Sequence, residues 1–174
     1  MDVSESAVIV PVPEAEPLVG AFRASLDRSA GWGVPTHVTT VIYPFLAPDR
    51  LGPNELLRLR EAVGSVPRFH VSFSDVRWFA DTVVWLAPHP PDGFRALIDA
   101  VWSAFPECPP YGGAFGTPVP HLTIGEDAAL DALSTAGDAV SRQLPVTASV
   151  RVAHLFQGSA APGAWRSVAE LPLG

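Results

Sequence analysis

The sequence contains no lysine, so its positive charge comes entirely from eleven arginines, which are outnumbered by eighteen acidic residues. The formal net charge is −7. Long nucleic acids are held mainly by clustered cations that neutralise several phosphates. This composition therefore argues against a long RNA or DNA as the partner.

Cysteine is almost absent as well, since Cys108 is the one cysteine of the chain. It cannot form an intramolecular disulfide, and one thiol cannot build a cysteine-rich zinc site. Its context, Pro-Glu-Cys-Pro-Pro, offers no neighbouring base, so we interpret it as an incidental thiol. The sequence also lacks an HExxH motif and a close His/Asp cluster, and we expect neither a metal nor another cofactor.

Long hydrophobic runs are missing too. The N-terminal segment Met-Asp-Val-Ser-Glu-Ser has no basic region of the kind that begins a signal peptide, and no apolar stretch is long enough to span a bilayer. We expect a cytoplasmic protein without a membrane partner. With 48% apolar and 17% charged residues, the 174 residues suffice for one domain over the whole chain, 1–174.

The hydrophobic periodicity predicts alternating helices and strands. Helical spacing covers 14–30, 53–64, 92–105 and 128–144. Alternating or β-branched segments predict strands at 7–12, 37–43, 69–79 and 82–87, from 121 onward and at 146–156, and the segment 165–173 closes the chain.

This order occurs twice, in halves at about 7–79 and 82–172, each reading strand, helix, His-x-Thr strand, helix, strand. A duplicated α+β unit with approximate twofold symmetry brings two equivalent strands to one place. We therefore predict an α+β fold of two lobes with antiparallel sheets around a central cleft. The corresponding points are Ala7 and Thr82, His37 and His121, and Pro67 and Pro145.

The two His-x-Thr segments are the candidate site. In a strand, residues two apart share a face, so His37 lies beside Thr39 and His121 beside Thr123. Two imidazoles can act as general base and general acid on a phosphodiester, while the hydroxyls hold its non-bridging oxygens. The three other histidines lack this paired context, and we interpret them as structural or exposed. They are His70, His89 and His154.

These motifs resemble those of the two-histidine (2H) phosphoesterase superfamily, which includes bacterial 2′-5′ RNA ligases and cyclic nucleotide phosphodiesterases. The similarity rests on 35–39 (PTHVT) with Tyr-Pro-Phe at 43–45, and on 118–124 (PVPHLTI). It implies a bilobal α+β fold with a central cleft. It also implies that His37 and His121 are catalytic and that Thr39 and Thr123 bind phosphate.

Further substrate contacts are expected at the cleft. Tyr43, Tyr111 and Phe115 can stack on a base, and the last two stand in the loop before the second motif. Arg77 and Arg151 are candidate phosphate clamps at near-equivalent points of the repeat.

Four functions fit these observations. The leading hypothesis is a metal-independent phosphoesterase acting on a 2′,3′-cyclic phosphate or a similar small phosphodiester, with a nucleotide or short RNA end as partner. Reversible 2′-5′ RNA ligation is the second, although no cation follows the first motif. A nucleotide-binding module without turnover and an unrelated duplicated domain are the others.

Overall fold

The computed structural model of the protein describes residues 3–36 and 38–174. Its strands are β1 (Glu5–Pro11), β2 (Val38–Ile42), β3 (Phe69–Phe79), β4 (Val83–His89), β5 (Leu122–Glu126), β6 (Val146–Val150), β7 (Val152–Gly158) and β8 (Arg166–Pro172). Its α-helices are α1 (Glu16–Leu26), α2 (Arg28–Gly31), α3 (Pro53–Gly64), α4 (Asp92–Ala104) and α5 (Leu130–Ser141).

Two predicted elements are broken in the structure. The predicted helix 14–30 is interrupted at Asp27, whose backbone is extended and whose carboxylate accepts a hydrogen bond from the Ser29 amide at 2.8 Å. Asp27 thus caps a new helix instead of continuing the first. The predicted strand 146–156 was wrong as one element, because the chain leaves the edge strand β6 at Arg151 and continues as β7, which lies between β1 and β8 at the other end of the sheet.

All eight strands form one antiparallel sheet, in the order β6-β3-β4-β5-β2-β1-β7-β8. This confirms an α+β fold with antiparallel strands around a cleft. The order is symmetric about its centre, where β2 meets β5 at the pair Thr39–Leu122. The third strand of each sequence repeat pairs with the first strand of the other repeat, as β3 does with β4 and β7 with β1. The two repeats therefore exchange strands, which places β2 and β5 side by side at the centre.

The four longer helices, α1, α3, α4 and α5, pack against one face of the sheet, whereas Ser29 of α2 lines a cavity on the other face. α1 packs on β5 and α4 packs on β2, so each helix crosses to the opposite half. Strand residues such as Val8, Val10 and Leu122 are fully buried in the main core beneath the helices. A smaller cluster on the opposite face contains Ile9 and Trp165. Alternation along β1 thus separates a core face from a cleft face.

Candidate active site

The cleft face carries a cavity of about 210 Å³ at the centre of the sheet. Both halves contribute to it. The residues that line it include Arg23, Thr40, Tyr43, Tyr111, His121, Thr123, Glu126, Phe156 and Trp165. Trp165 lies against Gly158, where a Cβ atom would stand 2.5 Å from the indole ring. Glycine at this position therefore allows the ring to reach the cavity.

His121 precedes β5 and is half-buried at the cavity wall. Its Nδ1 lies 2.7 Å from the carbonyl oxygen of Val119, so Nδ1–H donates to that oxygen and Nε2 is the nitrogen left for a ligand. The rings of Phe79 and Trp85 stand edge-on to the imidazole, with centroids 5.0 and 5.8 Å away. These contacts fix both the ring orientation and the tautomer.

Burial lowers the pKa of His121, and the charge of Arg23 lowers it further, while the hydrogen bond to Val119 acts in the opposite direction. The imidazole is therefore neutral at neutral pH. A neutral imidazole with Nε2 exposed to the cavity can accept a proton from an attacking oxygen.

The structure places Thr123 in the cavity and Thr39 elsewhere. Thr39 is fully buried and pairs with Val10 and Leu122, both of which lie in the main core. Directly opposite residues of antiparallel strands share a face, so Thr39 faces the core rather than the cleft. Its Oγ1 has no hydrogen-bond partner in the structure as described. The structure thus does not bring Thr39 to the cavity in which it was predicted to bind phosphate.

Thr40 occupies the place that was predicted for Thr39. It pairs with Ile9 on the cleft face, lines the cavity, and its side chain hydrogen-bonds the Tyr111 hydroxyl. The strand register shifts between Val8 and Ile9, leaving Val41 as the extra residue of a bulge. Continuing the ladder from Thr39–Leu122 sets Thr40 opposite His121. The two hydroxyls of the cavity are thus those of Thr40 and Thr123.

His37 lies outside the described residues, and its role as the second catalytic histidine stays a prediction. β2 begins at the next residue, Val38, and runs alongside β5.

Arg23 is a site residue that the sequence analysis missed. It belongs to α1, is 7% exposed and lines the cavity, with Nε 2.8 Å from a carboxylate oxygen of Asp27. The sequence feature that could have indicated its burial is the spacing of four residues between Arg23 and Asp27, which lets the two side chains pair along a helix with an apolar face. The predicted clamps lie elsewhere: Arg77 is half-exposed and ion-paired with Asp75 at 3.2 Å, and Arg151 is exposed at the β6–β7 corner.

The predicted aromatic contacts are brought together, with one exception. Tyr43 lines the small cavity, its hydroxyl 3.2 Å from Glu5, and its ring meets Trp165 edge-on. Tyr111 lines it as well, held by a 2.7 Å hydrogen bond from its amide to the Tyr43 carbonyl. Phe115 does not line this cavity but stands beside Tyr111, with ring centroids 5.7 Å apart.

A second, larger cavity of about 680 Å³ adjoins the first. The two share Tyr111, His121 and Glu126 among their lining residues. Tyr111 has a left-handed backbone (φ 53°), and burial raises its pKa to about 12, so the phenol is protonated and available as a donor. Burial, followed by the charge of Asp27, raises the pKa of Glu126, another residue that the sequence analysis missed.

The other histidines each have a hydrogen-bond partner. His70 Nδ1 lies 2.8 Å from Ser149, His89 Nε2 lies 2.9 Å from Asp75, and His154 Nδ1 lies 3.0 Å from Ser167. Within 3–36 and 38–174, no three His, Cys, Asp or Glu side chains are grouped so that they could hold a metal ion. In the same residues, no helix combines the length and hydrophobicity that a membrane crossing requires.

The sequence pattern of the 2′-5′ RNA ligase superfamily matches residues 11–161. Among solved structures, E. coli LigT in apo form is 21% identical, with 99% of each chain covered and a TM-score of 0.63. A structure described as a phosphoesterase is 20% identical over 99% of both chains, with a TM-score of 0.62. The protein TT0787 of Thermus thermophilus is 17% identical over 97% of both, with a TM-score of 0.55.

E. coli LigT has also been solved in complex with 3′-AMP, with a TM-score of 0.58 at 20% identity and 99% coverage of each chain. At these identities the similarity establishes the fold. No match to the chain was found among curated proteins.

Proposed function

Because the chain belongs to the 2′-5′ RNA ligase superfamily, we propose that it hydrolyses a 2′,3′-cyclic phosphate or a similar small phosphodiester through two histidines. The observation that carries the proposal is the arrangement of His121, Thr123 and Thr40 around one small cavity, with the His121 tautomer fixed by Val119. The complex of E. coli LigT with 3′-AMP supports a nucleotide as the organic part of the substrate.

In the proposed reaction, Nε2 of His121 takes a proton from a water molecule as that water attacks phosphorus. A new P–O bond forms, and the bond from phosphorus to one ribose oxygen breaks. The leaving oxygen receives a proton from the second imidazole, His37. The lowered pKa of His121 supports its assignment as the base.

The remaining residues stabilise charge on the phosphoryl group. The hydroxyls of Thr40 and Thr123 donate to non-bridging oxygens, and the Arg23 guanidinium provides positive charge at the cavity wall. The Tyr111 phenol stays protonated and can donate as well. Two imidazoles in opposite protonation states supply both proton transfers, so the proposal includes no metal.

Reversible 2′-5′ RNA ligation remains the second candidate, favoured by the superfamily match. With a 5′-hydroxyl in place of the water, the same two proton transfers would form a bond from phosphorus to the 5′-oxygen, while the bond from phosphorus to one ribose oxygen breaks and that oxygen receives the proton. A net charge of −7 without lysine makes extended RNA ends poor ligands, which favours hydrolysis of small diesters.

The test is a panel of nucleoside 2′,3′-cyclic phosphates incubated with EDTA, with wild-type protein and with His121→Ala. We expect hydrolysis in EDTA and a loss of at least about 10²-fold in the variant, the scale of general acid–base catalysis. His154→Ala is the matched control, since His154 bonds Ser167 on the edge strand β8. Equal activity of all three proteins would refute the proposal.

A further inference from the structure

The larger cavity adjoins the proposed phosphate site. Tyr111 and His121 line both cavities, so a ligand whose phosphate contacts His121 has its organic group at the border of the larger one. Its volume of about 680 Å³ lies in the range of cavities that bury most of a drug-sized ligand. The organic group of the substrate therefore has a preformed place.

The walls of this larger cavity are mainly aromatic and aliphatic. They are formed by the end of β3, the start of β4 and the loop before His121. The apolar wall residues are Trp78, Phe79, Ala80, Val83, Pro110, Phe115, Pro118 and Val119. Phe115 is 70% exposed and Val119 45% exposed, although apolar side chains gain from burial. A bound group can cover both.

The charge of the residues that line the larger cavity disfavours an anionic ligand group. Glu126 is the one charged residue among the described residues that line this cavity, and no arginine of the described chain takes part. An anionic group placed there would lose its hydration, meet a carboxyl group and find no cation. Arg23 lines only the smaller of the two cavities.

We propose that the larger cavity binds an uncharged aromatic or apolar group of the substrate, such as a nucleoside or aryl group that carries no further phosphate. This rests on the proposed function, because it takes the phosphate to be held at His121. The chain accordingly selects phosphodiesters of neutral, largely apolar alcohols over nucleotides whose organic part bears a second phosphate or a carboxylate in the cavity.

Binding of product-like phosphate monoesters tests this without turnover. Calorimetry on the full chain compares methyl, phenyl, 1-naphthyl and 4-carboxyphenyl phosphate. We expect affinity to rise at least about tenfold from methyl to naphthyl, because apolar area is buried. We expect 4-carboxyphenyl phosphate to bind at least about tenfold more weakly than phenyl phosphate, because its carboxylate lies uncompensated near Glu126.

Two variants locate the effect in this cavity. Phe115→Ala should reduce the ratio of naphthyl to methyl affinity by about threefold or more, since it removes one wall. Thr117→Arg adds a cation on the exposed loop and should restore affinity for the carboxyphenyl ester several-fold. Leu57→Ala, on the exposed side of α3, is the control and should leave all four affinities unchanged.

Equal affinities for methyl and naphthyl phosphate, or for the phenyl and carboxyphenyl esters, would overturn the inference, as would binding of none of them. Hydrolysis of cyclic phosphates would then still be judged by the His121→Ala comparison. The predicted order of affinities without any His121-dependent hydrolysis would instead refute the proposed function and leave the cavity's preference established.

Discussion

The pair Thr39 and Thr40 offers a test in which neighbouring, chemically identical residues have opposite predicted effects. Thr40 lines the small cavity, whereas Thr39 faces the core with its Oγ1 buried and without a partner in the described structure. Thr→Val replaces a hydroxyl by a methyl group of similar volume. The two substitutions therefore remove the same atom from two different environments.

For Thr40→Val we expect a loss of about 10- to 100-fold in kcat/KM. This corresponds to about 1.5–3 kcal/mol, the contribution of one hydrogen bond to a charged group. Thr40→Ser keeps the hydroxyl and should retain most of the activity. Thr40→Val also removes the hydrogen bond between Thr40 and the Tyr111 hydroxyl. Tyr111→Phe is therefore measured alongside, to separate the effect of losing this bond from that of losing the hydrogen bond to phosphate.

For Thr39→Val we expect kcat/KM within about threefold of wild type. The free energy of unfolding should be unchanged or raised by up to about 1–2 kcal/mol, because an unpaired buried hydroxyl is replaced by an apolar group. Steady-state kinetics on a cyclic nucleotide and urea unfolding followed by tryptophan fluorescence give both numbers. A large loss of activity in Thr39→Val, with Thr40→Val active, would show that the strand register is displaced by one residue.

Three further predictions concern buried ionisable groups. His121 and His154 have pKa values lowered mainly by burial, so the unfolded chain binds more protons near pH 6. The free energy of unfolding should therefore fall as pH drops below the unfolded imidazole pKa of about 6.5, and urea titrations at pH 8 and 5.5 should show a smaller fall for His121→Asn. Arg23→Met leaves the buried carboxylate of Asp27 unpaired and should cost about 3–5 kcal/mol by urea unfolding, with Arg23→Lys costing less. Burial raises the pKa of the Cys108 thiol, so a thiol reagent at pH 8 should label the folded protein at least about tenfold more slowly than the urea-unfolded chain; equal rates would contradict its burial.

The elements that the sequence predicted best are those with local signals. α3 begins at Pro53, with the Glu55 carboxylate accepting a hydrogen bond from the Gly52 amide at 3.1 Å, and it ends at Gly64 as predicted. The alternating segment 69–79 is β3 with the same bounds. Both depend on periodicity and caps that lie within one stretch of chain.

The structure differs from the sequence-based expectations where distant contacts decide the conformation. The break at Arg151 is set by the pairing of β6 and β7 at different places in the sheet, and both flanking segments have strand composition. The choice between Thr39 and Thr40 depends on a bulge opposite β1, and a shift of one residue moves every side chain to the other face. Two adjacent threonines carry no local signal that distinguishes them.

The position of Arg23 in the site also depends on contacts between segments that are distant in the sequence. Arg77 and Arg151 were predicted as phosphate clamps because they stand at similar points of the repeat. The arginine that lines the cavity comes instead from α1, which crosses to pack on β5 of the other half. The exchange of elements between the halves, which no single segment encodes, brings it there.

The pH dependence of kcat/KM in EDTA tests the two-histidine mechanism most directly. One neutral and one protonated imidazole predict a bell-shaped profile for the wild type, with an acidic limb below the ordinary imidazole pKa of about 6.5 because burial lowers that of His121. His121→Ala should remove the acidic limb and lower the maximum at least about 10²-fold. A profile that rises steadily through pH 9, unchanged in shape by His121→Ala, would contradict the account.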